Sequence, residues 1–383
     1  MKDFVPKIKM LGSRVQARLA LAKTYIVEGD YDKAIEECQS SLDLDKRFGP
    51  AHVFLAWIYA QVGRYDESIE ECETALQIDS QSATAYSILR HVYTEKGTFS
   101  EAINACEAGL EIDSKDAAEY YALGELYSGQ EEFEKAATAF RNALKYNPQL
   151  AMAHFKLAAI YQDMGKEPEA IAEVKAALCL NPTLPRPHLI LGDIYLASDD
   201  YLPALQEYQE ALQISPRLAD AHYKAAEAYT KLELYLDAMM ELRIALRINP
   251  KMPECHHLLG FIYKKLGKYE AAVSHYNSAL AFNPKLADAH AYLGDIYTMQ
   301  GSFSEALGEY RQALNLTGQS CEAGERYRQQ NRVEEAISEY RIALGKEAEL
   351  PKLEEKIPEA IHGKSEIEKK MRSASARDRR EHM

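Results

Sequence analysis

Tyrosine recurs every 34 residues along most of this 383-residue chain. The series has nine members: Tyr25, Tyr59, Tyr93, Tyr127, Tyr161, Tyr195, Tyr229, Tyr263 and Tyr297. An ordinary globular domain does not place one residue type at a constant interval, whereas stacked copies of one supersecondary unit do. The period therefore predicts a repeat array and argues against a compact enzyme domain.

Other positions fall into the same register when the repeated tyrosine is numbered 11 in each copy. Positions 8, 20 and 27 are small in nearly every copy, and position 32 is proline in five consecutive copies. Apolar residues follow helical spacing in both halves of a copy, which indicates two short helices. Nine full copies begin at Val15, Gly49, Ala83, Ala117, Ala151, Pro185, Ala219, Pro253 and Ala287. A tenth copy, at 321–344, lacks four residues of its first helix.

The eighth copy shows the complete pattern: His256, Leu259, Gly260, Tyr263, Ala272, Tyr276, Ala279 and Pro284. This pattern closely resembles the tetratricopeptide repeat, in which large, small and aromatic residues alternate along two helices. The resemblance covers residues 15–344. It implies an all-α fold, a right-handed α-solenoid superhelix of 34-residue helix–turn–helix repeats. Each copy then buries its apolar face against its neighbours.

The chain divides into four segments on this reading. Residues 1–14 form an N-terminal leader, and 15–344 form the array of nine full repeats and one shortened repeat. Residues 345–372 carry a weak apolar stripe and a capping-box pattern, so we predict a capping helix there. Residues 373–383 contain too few apolar groups to order, and we predict a disordered tail.

Composition and motifs exclude several classes of function. The chain contains no glycine-rich phosphate loop, nucleophile elbow, paired CxxC or HExxH, so we predict no enzyme activity, no cofactor and no metal. A net charge of −14 argues against nucleic acid as a partner. No apolar stretch reaches the roughly 18 residues that a membrane span needs. The start lacks a signal-peptide apolar block, which favours a cytoplasmic location.

Cysteine and histidine each form a series at one repeat position. Equivalent residues in adjacent repeats lie about 10 Å apart, too far for a disulfide or a shared metal ion. We therefore expect both series to be packing residues. A redox or metal triplet remains the alternative for cysteine, and pH sensing or a partner contact remains so for histidine. Position 24 holds Cys38, Cys72 and Cys106, and position 4 holds His52, His154, His188, His222, His256 and His290.

Function is expected on the inner face of the array. The resemblance implies that positions 2, 5, 9, 12 and 13 of the first helices line a concave groove. These positions form an aromatic and apolar strip bordered by carboxylates, which predicts a basic or amphipathic segment of another protein as the partner. The alternative is that these side chains only fill the inner curve. The candidate partner-binding residues are Trp57, Tyr121, Glu125, Phe155, Asp193, Tyr223, Glu227, Phe261 and Asp295.

The leading hypothesis is a non-enzymatic scaffold for protein–protein interaction. One known use of the family, docking of the acidic tails of heat-shock chaperones, needs lysine at position 5 and asparagine at position 9. No copy has either residue there, so this use is disfavoured. Two alternatives stay open. The chain is a targeting or regulatory subunit of a larger enzyme, or it self-assembles through its terminal repeats.

Arg90 departs from the pattern because it occupies position 8, where other copies have alanine or glycine. A guanidinium buried without a partner is costly. We therefore expect Arg90 to tilt outward, with its stem covering apolar surface, and to widen the third repeat locally. On this expectation the substitution Arg90→Ala is neutral or stabilising.

Overall fold

The structure, a computed structural model, describes residues 4–346, and within that range it contains twenty helices and no strand. The helices fall into two compact units that divide between Pro182 and Thr183. Unit 1 contains α1 (Phe4–Glu28), α2 (Tyr31–Leu44), α3 (Gly49–Gln61), α4 (Tyr65–Ile78), α5 (Ala83–Glu95), α6 (Phe99–Ile112), α7 (Ala117–Gly129), α8 (Phe133–Tyr146), α9 (Ala151–Asp163) and α10 (Glu167–Leu180). Unit 2 contains α11 (Pro185–Ala197), α12 (Tyr201–Ile214), α13 (Ala219–Lys231), α14 (Tyr235–Ile248), α15 (Pro253–Lys265), α16 (Tyr269–Phe282), α17 (Ala287–Met299), α18 (Phe303–Thr317), α19 (Glu322–Gln329) and α20 (Val333–Ala343).

These bounds confirm an all-α chain in which each copy is a pair of helices. The first helix, α1, begins at Phe4 and therefore runs through most of the segment that the sequence assigns to the leader. The shortened copy has a first helix, α19, of 8 residues, where α17 has 13. The predicted capping helix and tail lie outside the described residues from position 347 onward.

The turn inside each pair depends on a left-handed residue at position 15. Six copies use glycine there, for example Gly97 at φ 74°. The other four copies adopt the same conformation without glycine: Glu131, Asp199, Glu233 and Asn331, all with φ near 60°. Non-glycine residues pay a steric cost in this region. The turn geometry is therefore imposed by packing of the two helices, and glycine eases it without being required.

The second helix ends at position 30 in each of the first eight copies, whether or not proline follows. In the fourth copy α8 ends at Tyr146, directly before Asn147 and Pro148. The second and third copies end at the same position, at Ile78 and Ile112, although neither has proline at position 32. In these two copies an Asp at position 31 stabilises the turn, since its side chain accepts from the backbone N–H of position 33: Asp79 from Gln81 and Asp113 from Lys115, both at 3.0 Å.

The core of each pair depends on matched sizes at positions 8 and 24. Where position 24 is aromatic, position 8 is glycine: Gly124 with Phe140, Gly192 with Tyr208, Gly260 with Tyr276, Gly294 with Tyr310, and Gly324 with Tyr340. A Cβ added to any of these glycines would come within 2.9 Å of the facing ring. Where position 24 is cysteine, valine or leucine, position 8 is alanine in all copies but the third. The cysteines at position 24 are fully buried and free, as expected for packing residues.

Arg90, in that third copy, is not tilted into solvent. Its Nε lies 3.0 Å from Oε2 of Glu119 in the next copy. Glu119 is only 6% exposed, and its carboxylate also accepts from Ser87 Oγ. The thiol of Cys106 lies 3.3 Å from Oε2 of the same group. The expected outward tilt is therefore wrong. The small cysteine at position 24 leaves room for a guanidinium, which neutralises a buried carboxylate 29 residues away in sequence.

We predict that Gly260→Ala destabilises unit 2 through its contact with Tyr276. The new Cβ would lie 2.8 Å from ring carbons of Tyr276. Overpacking of this kind costs about 1–3 kcal/mol and outweighs the helix propensity gained with alanine. Adding Tyr276→Leu should recover part of the loss, because it recreates the Ala226–Leu242 pair of the seventh copy. Thermal unfolding followed by circular dichroism measures both effects.

Gly308→Ala provides the matched control for this pair, because no atom lies within 4 Å of its added Cβ. That substitution should leave stability unchanged or raise it by up to about 1 kcal/mol. Strictly additive effects of Gly260→Ala and Tyr276→Leu would show that positions 8 and 24 are not coupled.

The pairing of Arg90 reverses the outcome expected from sequence. Arg90→Ala leaves the Glu119 carboxylate buried without its cation, and we expect it to lower the free energy of unfolding by about 2–3 kcal/mol. Arg90→Ala combined with Glu119→Gln should recover much of that loss. Arg243→Ala, on an exposed position of α14, serves as the control. An unchanged melting temperature in Arg90→Ala would contradict the structural role of the pair.

Candidate functional site

The candidate site is the face formed by positions 5, 6 and 9 of the first helices, which we call the first-helix face. Position 9 of one copy meets position 6 of the next. Glu125 meets Lys156 in this way at 2.9 Å, and Asp193 meets Lys224 at 3.4 Å. We call each such contact, between position 9 of one copy and position 6 of the next, a step of the first-helix face. The chemistry of a step depends on both residues.

An opening on this face in unit 1 surrounds Trp57. It is a cavity of about 770 Å³ with an apolar floor that includes Leu19, Val53, Ile88 and the Trp57 ring. Its walls come from the first helices α1, α3 and α5, from the second helix α4, and from the loops before α3 and α5. Cavities of this size are typical of ligand and peptide sites.

Trp57 does not act alone in this cavity. Its ring stacks on Phe54 with centroids 5.8 Å apart and an interplanar angle of 5°. Lys23 places its ammonium 5.8 Å from the centroid of the Phe54 ring. Phe54 was missed by the sequence analysis, because position 6 is not among the five positions expected to line the groove. Its signal was an aromatic residue three positions before the single tryptophan, a spacing that brings side chains together on a helix.

The remaining candidates of unit 1 lie on the fourth and fifth copies. Tyr121 donates to Oε1 of Glu125 at 3.3 Å, and its ring meets Phe140 edge-on. Burial, together with the adjacent Glu125 carboxylate, raises the pKa of Tyr121 to about 12. Phe155 is only 8% exposed and therefore belongs to the core more than to an open surface.

In unit 2, Asp193 and Glu227 flank one lysine, while Tyr223 is half-buried against the core of α13, α14 and α15. Lys224 lies 3.4 Å from Oδ1 of Asp193 and 3.5 Å from Oε2 of Glu227. Burial lowers the pKa of Lys224, but the two carboxylates outweigh burial and raise it overall. Asp193 also accepts from the hydroxyl of Tyr208 at 2.8 Å. Both carboxylates are thus engaged by the chain itself.

Asp295 is the most strongly engaged of the predicted carboxylates. It is 4% exposed, lies 2.8 Å from Lys264 and 2.9 Å from Lys346, and also contacts the guanidinium of Arg341. Although burial raises the pKa of Asp295, the lysines beside it lower it overall. The expectation of a free carboxylate border is therefore wrong for Asp295, since three cations of this chain enclose it. Phe261, the last candidate, is partly exposed beside Tyr292, with ring centroids 6.0 Å apart.

The histidine series has a structural partner that the sequence reading did not identify. In five copies the histidine at position 4 lies 2.5–2.8 Å from a glutamate at position 23 of the same copy: His52–Glu71, His154–Glu173, His188–Glu207, His222–Glu241 and His290–Glu309. The eighth copy replaces the glutamate with histidine, and Nδ1 of His256 lies 3.2 Å from Nδ1 of His275. These pairs join the two helices of a copy, which supports the packing interpretation.

Residues 4–346 bring together no group of three or more His, Cys, Asp or Glu side chains that could hold a metal ion. Across the same residues, no helix combines the length and the apolar character that crossing a membrane requires.

Comparison with known proteins identifies the repeat. Models of the tetratricopeptide repeat match residues 14–87 and 59–127, and a model of the TPR repeat matches 129–165, 192–233 and 262–301. No curated protein matches the chain.

Three solved structures illustrate the similarity. YrrB, a TPR protein with an unusual peptide-binding site, is 22% identical over 48% of this chain and 95% of its own, with a TM-score of 0.44. MamA is 25% identical over 43% of this chain and 97% of its own, with a TM-score of 0.39. The pilF protein of Pseudomonas aeruginosa is 22% identical over 55% of this chain and 96% of its own, with a TM-score of 0.47.

The His222–Glu241 pair predicts a pH-dependent contribution to stability. Burial lowers the pKa of His222, but hydrogen bonds to Glu241 and to the carbonyl of Pro216 outweigh burial and raise it overall. A raised folded-state pKa stabilises the protein below the ordinary histidine value near 6.5, and this contribution disappears as pH rises through the folded value. Glu241→Gln should therefore cost about 1–2 kcal/mol at pH 6 and clearly less at pH 8.

Thermal melts of the wild type and Glu241→Gln at both pH values measure this difference, because the two proteins differ at this one residue. Glu270→Gln, at an exposed site on α16, is the control. An equal loss of stability at pH 6 and pH 8 would contradict a charged His222 in the folded state.

Proposed function

The chain belongs to the tetratricopeptide repeat family, and from that premise we propose that it is a non-enzymatic scaffold that holds a segment of another protein on the first-helix face of unit 1. Proteins with this fold typically act as interaction modules. The proposal assigns the contact to the cavity around Trp57.

One observation carries the proposal: the Trp57 cavity is open, largely apolar and lined by two aromatic residues, Phe54 and Trp57, that border the core and stay only half-buried. The fully buried contacts of a pair use positions 8, 20 and 24, whereas Phe54 and Trp57 occupy positions 6 and 9. Both rings are partly exposed, so a bound partner could cover the part of their surface that the chain leaves open. Aromatic residues in a central pocket usually supply most of the affinity of an interface. A bulky apolar side chain of the partner is the matching anchor.

The second part of the sequence hypothesis, a basic segment, receives less support. Glu125, Asp193, Glu227 and Asp295 each have a lysine of this chain within 3.5 Å. A partner's lysine would have to compete with these internal cations. The Glu125–Lys156 pair is solvent-exposed and therefore weak, so it hinders such a partner least.

We predict that Trp57→Ala and Phe54→Ala each weaken binding of apolar-anchored peptides at least tenfold, which corresponds to about 1–3 kcal/mol. A random dodecapeptide library displayed on phage can be selected on the full chain, and the recovered peptides tested by fluorescence anisotropy. The chain has a single tryptophan, so a change in its intrinsic emission reports directly on occupation of the cavity in the wild type.

Phe282→Ala is the matched control, because Phe282 is an exposed aromatic residue of unit 2 at 47% exposure. It should leave peptide affinity unchanged. Recovered peptides that bind Trp57→Ala as tightly as the wild type would contradict the proposed site. Light scattering of the same samples tests self-assembly, since a self-assembling array would show a concentration-dependent mass.

A further inference from the structure

The rim of the Trp57 cavity carries a charge opposite to that of the chain as a whole. Two cationic residues, Lys23 and Arg47, line the cavity, against one carboxylate, Asp79. The complete chain has a net charge of −14. Local charge near a cavity, rather than total charge, decides which ligand groups it attracts at short range.

Both rim cations are available to a ligand. Lys23 and Arg47 are exposed, and neither forms an ion pair with another described residue. Lys23 lies over the Phe54 ring, with its ammonium 5.8 Å from the ring centroid. Asp79, in contrast, already accepts from the backbone N–H of Gln81 at 3.0 Å. That hydrogen bond does not remove the charge of Asp79, but two cations against one carboxylate leave the rim with a net positive charge.

The repeat geometry explains why Lys23 is left without a carboxylate. At two other steps of the first-helix face, position 9 is acidic and position 6 of the next copy is lysine: Glu125 with Lys156, and Asp193 with Lys224. At the step that begins with Lys23, position 6 of the next copy is Phe54. A ring attracts the ammonium but does not neutralise it.

We propose that the Trp57 cavity binds an acidic segment, in which a bulky apolar side chain fills the cavity and an aspartate or glutamate close to it in sequence pairs with Lys23 or Arg47. This inference rests on the proposed function and adds the charge of the partner to it. In an extended segment, residues advance by about 3.3 Å each, so an acidic residue one to three positions from the anchor reaches the rim. Rim charges of this kind mainly determine specificity and association rate.

The test compares peptide selections on two proteins. A random dodecapeptide library is selected on the full wild-type chain and on the double variant Lys23→Glu, Arg47→Glu. We expect aspartate and glutamate to be enriched at least threefold near the apolar anchor with the wild type. With the double variant the enrichment should shift to lysine and arginine.

The best wild-type peptide and a copy with its acidic residues replaced by lysine then serve as defined probes. The lysine copy should bind the wild type at least tenfold more weakly in 50 mM NaCl, and the gap should narrow in 500 mM NaCl, because exposed charges are screened. The double variant Arg243→Glu, Lys265→Glu, an equal charge change on two exposed residues of unit 2, should change neither result. The neutral variant Lys23→Gln, Arg47→Gln should abolish the charge preference, and circular dichroism checks that each variant is folded.

Peptides that require Trp57 but show no acidic enrichment would overturn this inference and leave the proposed function intact. An unchanged preference in the Lys23→Glu, Arg47→Glu variant would overturn it as well. If no peptide binds in a manner that depends on Trp57, the proposed function fails first, and the charge preference fails with it.

Discussion

The contact between positions 8 and 24 is the interaction on which every helix pair depends. An aromatic ring at position 24 lies directly on a glycine at position 8, as with Tyr276 over Gly260, while a smaller side chain is matched by alanine. Protein cores tolerate neither a gap nor an added methyl group without cost. A second match, at positions 4 and 23, sets histidine against glutamate in five copies and tyrosine against alanine in the third and fourth. The copies thus share one backbone although their core residues differ.

The residue type at position 24 in the core also affects the first-helix face. A tyrosine at position 24 reaches past the glycine, and its hydroxyl donates to the acid at position 9, as in Tyr208 to Asp193 and Tyr310 to Asp295. Carboxylates that look like groove residues are therefore partly core residues. The eighth copy shows the converse. Its position 9 is Phe261, and the buried hydroxyl of Tyr276 has no hydrogen-bond partner among the described residues.

The repeat period predicts most of the fold, because most helix boundaries, left-handed turns and small core positions recur at a constant interval. What the sequence reading could not predict are contacts between different positions of different copies. Arg90 finds Glu119 in the next copy, and Asp295 meets Arg341 and Lys346, which are 46 and 51 residues away. Comparing one position across the copies shows which residue types occur there. It does not show which residues of neighbouring copies form their ion pairs and hydrogen bonds. Of the predicted site residues, Trp57 lies in an open cavity, whereas Asp295 is enclosed.

The contact between position 9 of one copy and position 6 of the next determines what each part of the first-helix face can offer. An acid and a lysine neutralise each other, as in Glu125 with Lys156, and two rings cover each other, as in Phe261 with Tyr292. Only an unmatched step leaves a group for a partner, and Lys23 over Phe54 is such a step. Total charge is therefore a poor guide to binding in an array of this kind. The charge that a partner meets at each step depends on whether a residue of the neighbouring copy already neutralises it.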